Sequence, residues 1–109
     1  MTAPMIPFVP LTPSGSFDPF SCVSYVKYRR DYTGQMVNPR WWWNHGLAFQ
    51  TDYPVAGLVV ITDEGPYWHM AYVESVASGS LELTEANYIP GRVTKRSLPL
   101  TSPHIMGYW

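Results

Sequence analysis

The chain has 109 residues, enough for one domain with a single modest hydrophobic core. Aromatic residues make up 16%, charged residues only 14%, and the formal net charge is −1, which excludes the clustered basic surface that binds nucleic acid. The longest apolar run, at positions 55–61, is too short to cross a bilayer, so we expect no membrane span and no membrane partner.

The first 20 residues are a proline-rich segment, which we expect to be extended and distinct from a domain at 21–109. Prolines stand at positions 4, 7, 10, 13 and 19 among apolar residues, and prolines at this density exclude a helix. Because the segment is apolar, we expect it to lie along its own domain or to dock on another protein. The first basic residue, Lys27, comes too late for the charged start of a secretory signal, so the sequence favours a cytoplasmic protein.

A short helix is predicted to begin at Cys22, the only cysteine in the chain, and to end near Asp31. Its cap is either Asp18, which precedes a proline, or Ser21. A lone thiol cannot close an internal disulfide, and the first turn of a helix favours the thiolate over the thiol. Cys22 is therefore a candidate nucleophile, and the alternative is a small buried apolar residue.

A second helix is predicted after Asn38, running toward Ala48 through three consecutive tryptophans at positions 41–43. Adjacent helical residues point about 100° apart, so the three indole rings cannot all face one core. At least one of them is expected to line a groove or to pack under a loop. Trp43, together with Trp68, is a candidate for substrate binding.

After position 54 the pattern changes to alternating, β-branched residues, which are typical of strands. Gly, Pro, Asp and Ser clusters separate five predicted strands, at residues 57–62, 67–76, 80–88, 92–98 and 105–109. Two helices followed by an antiparallel meander indicate an α+β fold.

Polar side chains are predicted on the core face of two neighbouring strands. A three-residue hairpin loop at 77–79 sets a register in which Val73 faces Leu83, and alternation then places three polar residues at one end of the same face. These residues are His69, Glu85 and Asn87. A buried imidazole and carboxylate are costly unless they are paired. The cluster therefore indicates either a structural hydrogen bond or a catalytic group.

A thiol, an imidazole and an orienting polar group have a known joint chemistry. The thiolate attacks an amide carbonyl, the imidazole protonates the departing amine, and the third group fixes the orientation and tautomer of the ring. Backbone N–H groups at the start of the Cys22 helix can face the developing oxyanion.

The order of these residues resembles the CHAP domains (cysteine, histidine-dependent amidohydrolases/peptidases) of the papain-like superfamily. The matching segments are Cys22-Val-Ser-Tyr-Val-Lys, Trp43, Pro54-Val-Ala-Gly57-Leu-Val-Val, His69-Met-Ala-Tyr-Val-Glu-Ser-Val, Glu85-Ala-Asn87-Tyr, Gly91-Arg-Val-Thr-Lys-Arg and Gly107-Tyr-Trp. Each segment is weak by itself, but their order and spacing together are specific. The resemblance implies a papain-like fold with N-terminal helices packed on an antiparallel sheet.

The resemblance also implies a peptidoglycan hydrolase. The bond that such an enzyme cleaves is either the N-acetylmuramoyl-L-alanine amide or a peptide bond of the stem or cross-bridge. Cys22 would be the nucleophile, His69 the base and Glu85 the group that orients it, with Asn87 assisting. The aspartate-rich calcium loop of some members is absent, and we expect no metal and no cofactor.

Two positions depart from the family pattern. Ser21 stands where glutamine or asparagine usually precedes the cysteine, and Trp68 stands where glycine usually precedes the histidine. These departures concern the completion of the oxyanion hole and the width of the groove. His45 and His104 match no motif position and are expected to be surface or packing residues.

The expected setting is a bacteriophage endolysin, held in the host cytoplasm until a holin releases it, or a cell-wall hydrolase on a virion or tail. Residues 1–20 would then dock on virion or tail proteins. The alternative function is a catalytically inactive CHAP-fold module that is structural or binds glycan in a virion. A nearer alternative is an NlpC-type peptidase, which shares the cysteine helix and the histidine strand; the Glu85-Ala-Asn87 pattern favours CHAP.

Overall fold

The computed structural model describes residues 6–7, 17–47, 51 and 53–109, and in these ranges the chain forms two helices and one antiparallel sheet. The elements are β1 (Ile6–Pro7), α1 (Cys22–Arg30), α2 (Pro39–Asn44), β2 (Val59–Thr62), β3 (His69–Ala77), β4 (Ser80–Ala86), β5 (Val93–Pro99) and β6 (Ile105–Tyr108). The strand order is β1-β5-β4-β3-β2-β6. The predicted α+β class is confirmed. No helix in the described ranges has the length and apolar character needed to cross a membrane.

Most of the proline-rich segment lies outside the described residues. Its described parts are residues 6–7 and 17–20, and the backbone of Ile6–Pro7 pairs with Thr94 and Lys95 of β5 at the edge of the sheet. The division of the chain at position 20 stays a prediction.

Helix α1 begins and ends close to its predicted limits. Of the two possible caps the structure selects Ser21, whose hydroxyl oxygen accepts a hydrogen bond from the backbone N–H of Ser24 at 3.0 Å. Asp18 instead accepts from the N–H of Phe20 and shapes the preceding turn. The helix ends at Arg30, and the following residue, Asp31, adopts the left-handed conformation that commonly terminates helices.

Helix α2 ends at Asn44, so the prediction that it extends toward Ala48 is wrong; Ala48 itself lies outside the described residues. The helix stops because Gly46 has a positive φ of 69° and donates its N–H back to the carbonyl of Trp43. Among the three tryptophans, only Trp42 is fully buried, with 3% of its surface exposed.

The hairpin between β3 and β4 differs from its prediction, although the register beside the site is as predicted. Its loop has two residues, Ser78 and Gly79, which both adopt the positive φ that such tight turns require. The prediction of a three-residue loop is therefore wrong. An irregularity between Val73 and Ser75 compensates for the shorter loop, so that Val73 pairs with Leu83.

Both faces of the sheet are buried, and the helices cover only one of them. Buried residues on the helix side include Val23, Val26, Trp42, Val59, Ile61, Met70 and Trp109. The second core contains Val60, Ala71, Val73, Leu81, Leu83, Leu98 and Tyr108. Glu64, which follows β2, contacts Arg96 on β5 although β3 and β4 lie between these strands. The sheet must therefore curl around the second core, and this curl brings the end of β2 to the site.

Candidate active site

An open cleft of about 600 Å³ lies where the beginning of α1 meets the beginning of β3. Cys22 is the first residue of α1 and His69 the first residue of β3, and both line the cleft. Its other lining residues include Phe20, Ser21, Val37, Glu64, Tyr67, Trp68, Asn87 and Tyr88. The fold thus brings together two side chains that are 47 positions apart in the sequence.

The thiol of Cys22 is held in surroundings that favour its negative form. Burial raises the pKa of this thiol, but the hydrogen bond and positive charge of His69 lower it, as do the backbone N–H groups of Met70 and Val23. The lowering contributions prevail, and the pKa of Cys22 lies below its ordinary value.

The imidazole of His69 is 6% exposed and has a partner on each side. Its Nε2 lies 2.8 Å from Oε1 of Glu85, which leaves Nδ1 for the thiol of Cys22. Burial lowers the pKa of His69, but the hydrogen bonds and charges of Cys22 and Glu85 raise it to about 9. Both shifts favour the thiolate and the imidazolium over the neutral thiol and imidazole.

Glu85 is fully buried and is held by a second partner that the sequence analysis missed. Nε of Arg96 lies 2.9 Å from Oε2 of Glu85, and Nη2 lies 3.0 Å from Oε1. The other side of the Arg96 guanidinium binds both oxygens of Glu64, at 2.7 and 2.8 Å. Glu64 in turn accepts a hydrogen bond from the hydroxyl of Thr62 at 2.8 Å.

A sequence signal for Arg96 did exist. Strand alternation, which the sequence alone predicts, places Thr94, Arg96 and Leu98 on one face of β5 and Lys95 on the other. In the structure the first three are buried and Lys95 is exposed. This alternation places an arginine on the same face as the apolar Leu98, where a carboxylate partner is required. No sequence signal pointed to Glu64 as the second partner of Arg96, because their contact depends on how the sheet curls.

Tyr88 is a third residue that the sequence analysis missed. The guanidinium carbon of Arg96 lies 4.1 Å from the centre of the Tyr88 ring. The rings of His69 and Tyr88 are arranged edge to face, with their centres 5.6 Å apart. Tyr88 is 38% exposed and lines the cleft, so it covers the charged groups from the solvent side.

Asn87 lies on the wall of the cleft, close in sequence to Glu85, but its side chain is used in a turn. Its Oδ1 accepts a hydrogen bond from the backbone N–H of Gly91 at 3.3 Å, and its own φ is 64°. In the described ranges it makes no hydrogen bond to His69. An assisting role for Asn87 stays a prediction.

The two predicted substrate-binding tryptophans occupy different places. Trp68 lines the cleft with a positive φ of 65°, and the ring of Trp43 packs behind it at 5.9 Å. Ser21 also lines the cleft, with its hydroxyl oxygen engaged as the cap of α1. Binding roles for Trp43 and Trp68 stay predictions.

The two histidines outside the motif lie on the surface. His45 stacks on the ring of Trp41 at 4.3 Å, and His104 lies 2.8 Å from the carboxylate of Asp63. Both are exposed and away from the cleft.

We expect iodoacetamide to alkylate Cys22 well below pH 8, because the pKa of its thiol is lowered. In His69→Ala the lowering contact is lost and burial raises the pKa, so the alkylation rate at pH 7 should fall at least about tenfold. Mass spectrometry of the intact protein measures the rate, since the chain has a single cysteine. His45→Ala is the matched control and should react like the wild type. Equal rates for wild type and His69→Ala would contradict the thiolate–imidazolium pair.

Fold and site together define an α+β domain of the papain-like class, with a thiol at a helix start facing an imidazole at a strand start. More specifically, the chain belongs to the CHAP domain family, whose family model matches residues 13–87. The resemblance noted from the sequence is thereby confirmed.

Named relatives include three staphylococcal proteins, each called N-acetylmuramoyl-L-alanine amidase sle1. The chain is 36% identical over 89 residues to the protein of Staphylococcus epidermidis, an alignment that covers 72% of this chain and 28% of the relative. The identity is 34% over 97 residues in Staphylococcus saprophyticus, covering 79% and 30%, respectively. In Staphylococcus aureus it is 33% over 89 residues, covering 72% and 27%. The chain spans less than a third of the length of these relatives.

Proposed function

We propose that this chain is a peptidoglycan hydrolase that cleaves an amide bond with Cys22 as nucleophile. The observation that carries the proposal is the pairing of Cys22 with His69 in the cleft, with Glu85 on the other ring nitrogen. Membership of the CHAP family and the amidase names of the relatives support peptidoglycan as the substrate.

The proposed reaction has two halves. The thiolate of Cys22 attacks the scissile carbonyl carbon, and His69 then gives its proton to the departing amine as the C–N bond breaks. The resulting thioester is hydrolysed by a water molecule whose proton passes to His69. A carboxylic acid is released, and the thiolate–imidazolium pair is restored. Glu85 keeps the imidazole oriented and stabilises its positive charge in both halves.

The oxyanion formed in each half requires donors that are already in place. The first N–H groups of a helix have no partner within the helix, and the helix dipole adds positive potential at that end. The backbone N–H of Cys22 is therefore the proposed principal donor. Because the Ser21 hydroxyl oxygen already accepts from the N–H of Ser24, we assign Ser21 a structural role at the helix start.

Among the possible bonds we favour the N-acetylmuramoyl-L-alanine amide, because the relatives are named as amidases of that type. We further propose a bacteriophage lysin or virion-associated setting, with the apolar, proline-rich segment at 1–20 as the docking region.

Purified peptidoglycan and mass spectrometry of the released fragments test the proposal. The wild-type chain should release fragments with a new free amine, and a free L-alanine amine on the stem identifies the amidase. The matched control is the same protein alkylated with iodoacetamide, which blocks its only thiol and should release nothing. Binding of the wild type to peptidoglycan without any release would overturn the proposal and favour the inactive glycan-binding alternative.

A further inference from the structure

We propose that Arg96 and Glu64 are positioning residues that hold Glu85 and set how firmly His69 keeps its proton. This inference rests on the proposed function, in which His69 must both give and take a proton. It concerns two side chains to which the sequence analysis assigned no role: Glu64 lies outside the matching segments, and Arg96 is the last residue of one of them.

Five ionisable side chains form a continuous row, and their charges alternate in sign when Cys22 is a thiolate and His69 an imidazolium. The row runs from Cys22 on α1 through His69 on β3, Glu85 on β4 and Arg96 on β5 to Glu64 in the loop after β2. Each contact in the row joins two different parts of the fold. A change at the outer end is therefore transmitted electrostatically toward the thiol.

The inner residues of the row are buried, and its outer residue, Glu64, is partly exposed to solvent. The side chains of Glu85 and Arg96 are 0% and 1% exposed, and that of Glu64 is 21% exposed. In such surroundings charges interact more strongly than they do in water. The Tyr88 ring lies over the guanidinium at 4.1 Å and further restricts its movement.

Arg96 is shared between two carboxylates, and this sharing carries the inference. Nη1 and Nη2 of Arg96 donate to Glu64, Nη2 also donates to Glu85, and Nε faces Glu85 alone. The positive charge that reaches Glu85 is therefore limited by Glu64. A group that served only to neutralise Glu85 would not need the second carboxylate.

The two outer residues should act on His69 in opposite directions. In Arg96→Gln the negative charge of Glu85 is no longer offset, so His69 should keep its proton to higher pH. In Glu64→Gln the charge of Arg96 falls more fully on Glu85. A negative charge that itself acts on His69 is also removed, so His69 should lose its proton at lower pH.

The titration of the His69 imidazole, followed by NMR between pH 5 and 11, tests the inference without any substrate. We expect a shift of at least about half a pH unit upward in Arg96→Gln and downward in Glu64→Gln. The exposed His45 and His104 provide internal references in the same spectra. Arg92→Gln is the matched control, because Arg92 is exposed in the turn before β5.

An upward shift in Arg96→Gln together with a downward shift in Glu64→Gln supports the inference. Any other combination of signs, or shifts below about 0.2 pH units, overturns it. If Arg96→Gln does not fold, Glu64→Gln decides alone by the same threshold, and only a downward shift supports the inference. Hydrolysis of peptidoglycan is measured in parallel. Opposite titration shifts in a protein that cleaves nothing would overturn the proposed function while leaving the positioning row in place.

Discussion

Cys22→Ala is expected to abolish the hydrolysis of purified peptidoglycan while the protein stays folded. The substitution removes the attacking sulfur, and loss of a nucleophile in comparable enzymes lowers the rate by about 10⁴–10⁶-fold. The side chain is small and half-buried at the start of α1, so its removal leaves the helix cap at Ser21 untouched. Fragment release is measured by mass spectrometry, and folding by thermal unfolding.

Cys22→Ser provides the control for shape. Serine preserves the size and hydrogen-bonding capacity of the side chain, but its hydroxyl does not ionise beside His69 as a thiol does. We therefore expect the serine variant to be nearly as inactive as the alanine variant. Hydrolysis by either variant at a rate near that of the wild type would exclude Cys22 as the nucleophile.

Glu85→Gln is expected to lower the rate of hydrolysis by about 10²–10⁴-fold, because the group that orients and stabilises the imidazolium is lost. A glutamine oxygen can still accept from Nε2 of His69, but the amide carries no charge. If that oxygen keeps its place, the NH₂ group of the glutamine replaces Oε2 and faces Nε–H of Arg96, so that two donors oppose each other. The rate is measured on peptidoglycan across pH 5–10.

The pH dependence of this variant has a defined sign. Glu85 contributes to raising the pKa of His69 to about 9, so its neutralisation lowers that pKa, and the loss of imidazolium moves to lower pH. Glu82→Gln is the matched control, because Glu82 is exposed on the same strand and accepts a hydrogen bond from Ser97. A Glu85→Gln variant as active as Glu82→Gln would rule out the orienting role.

The local elements of this fold could be predicted because their signals are local. Ser21 as a cap, the proline that opens α2 and the alternation along the strands each act within a few residues. The prediction of the hairpin loop was wrong because the local sequence is compatible with more than one loop length. The β3–β4 hairpin admitted a two- or a three-residue loop, and the bulge between Val73 and Ser75 that compensates for the shorter one leaves no trace in the alternation.

Within the site, the sequence also identified the residues whose partners follow from strand pairing. His69 and Glu85 share a face of neighbouring strands, and their 2.8 Å contact follows from the register. Arg96 lies one strand further and was missed because its partners were not considered. The sequence does place Arg96 two positions before Leu98, and therefore on the same face of the strand.

The sequence by itself determined the order of elements, the fold class and the residue types of the site, because periodicity and capping are properties of short segments. Only the tertiary structure decided that the thiol meets the imidazole and that Glu64 closes the row through Arg96. These contacts depend on the packing of α1 against the sheet and on the curl that carries the end of β2 to β5. The physical reason is that curl and packing are set by the sum of many buried contacts, which no single segment encodes.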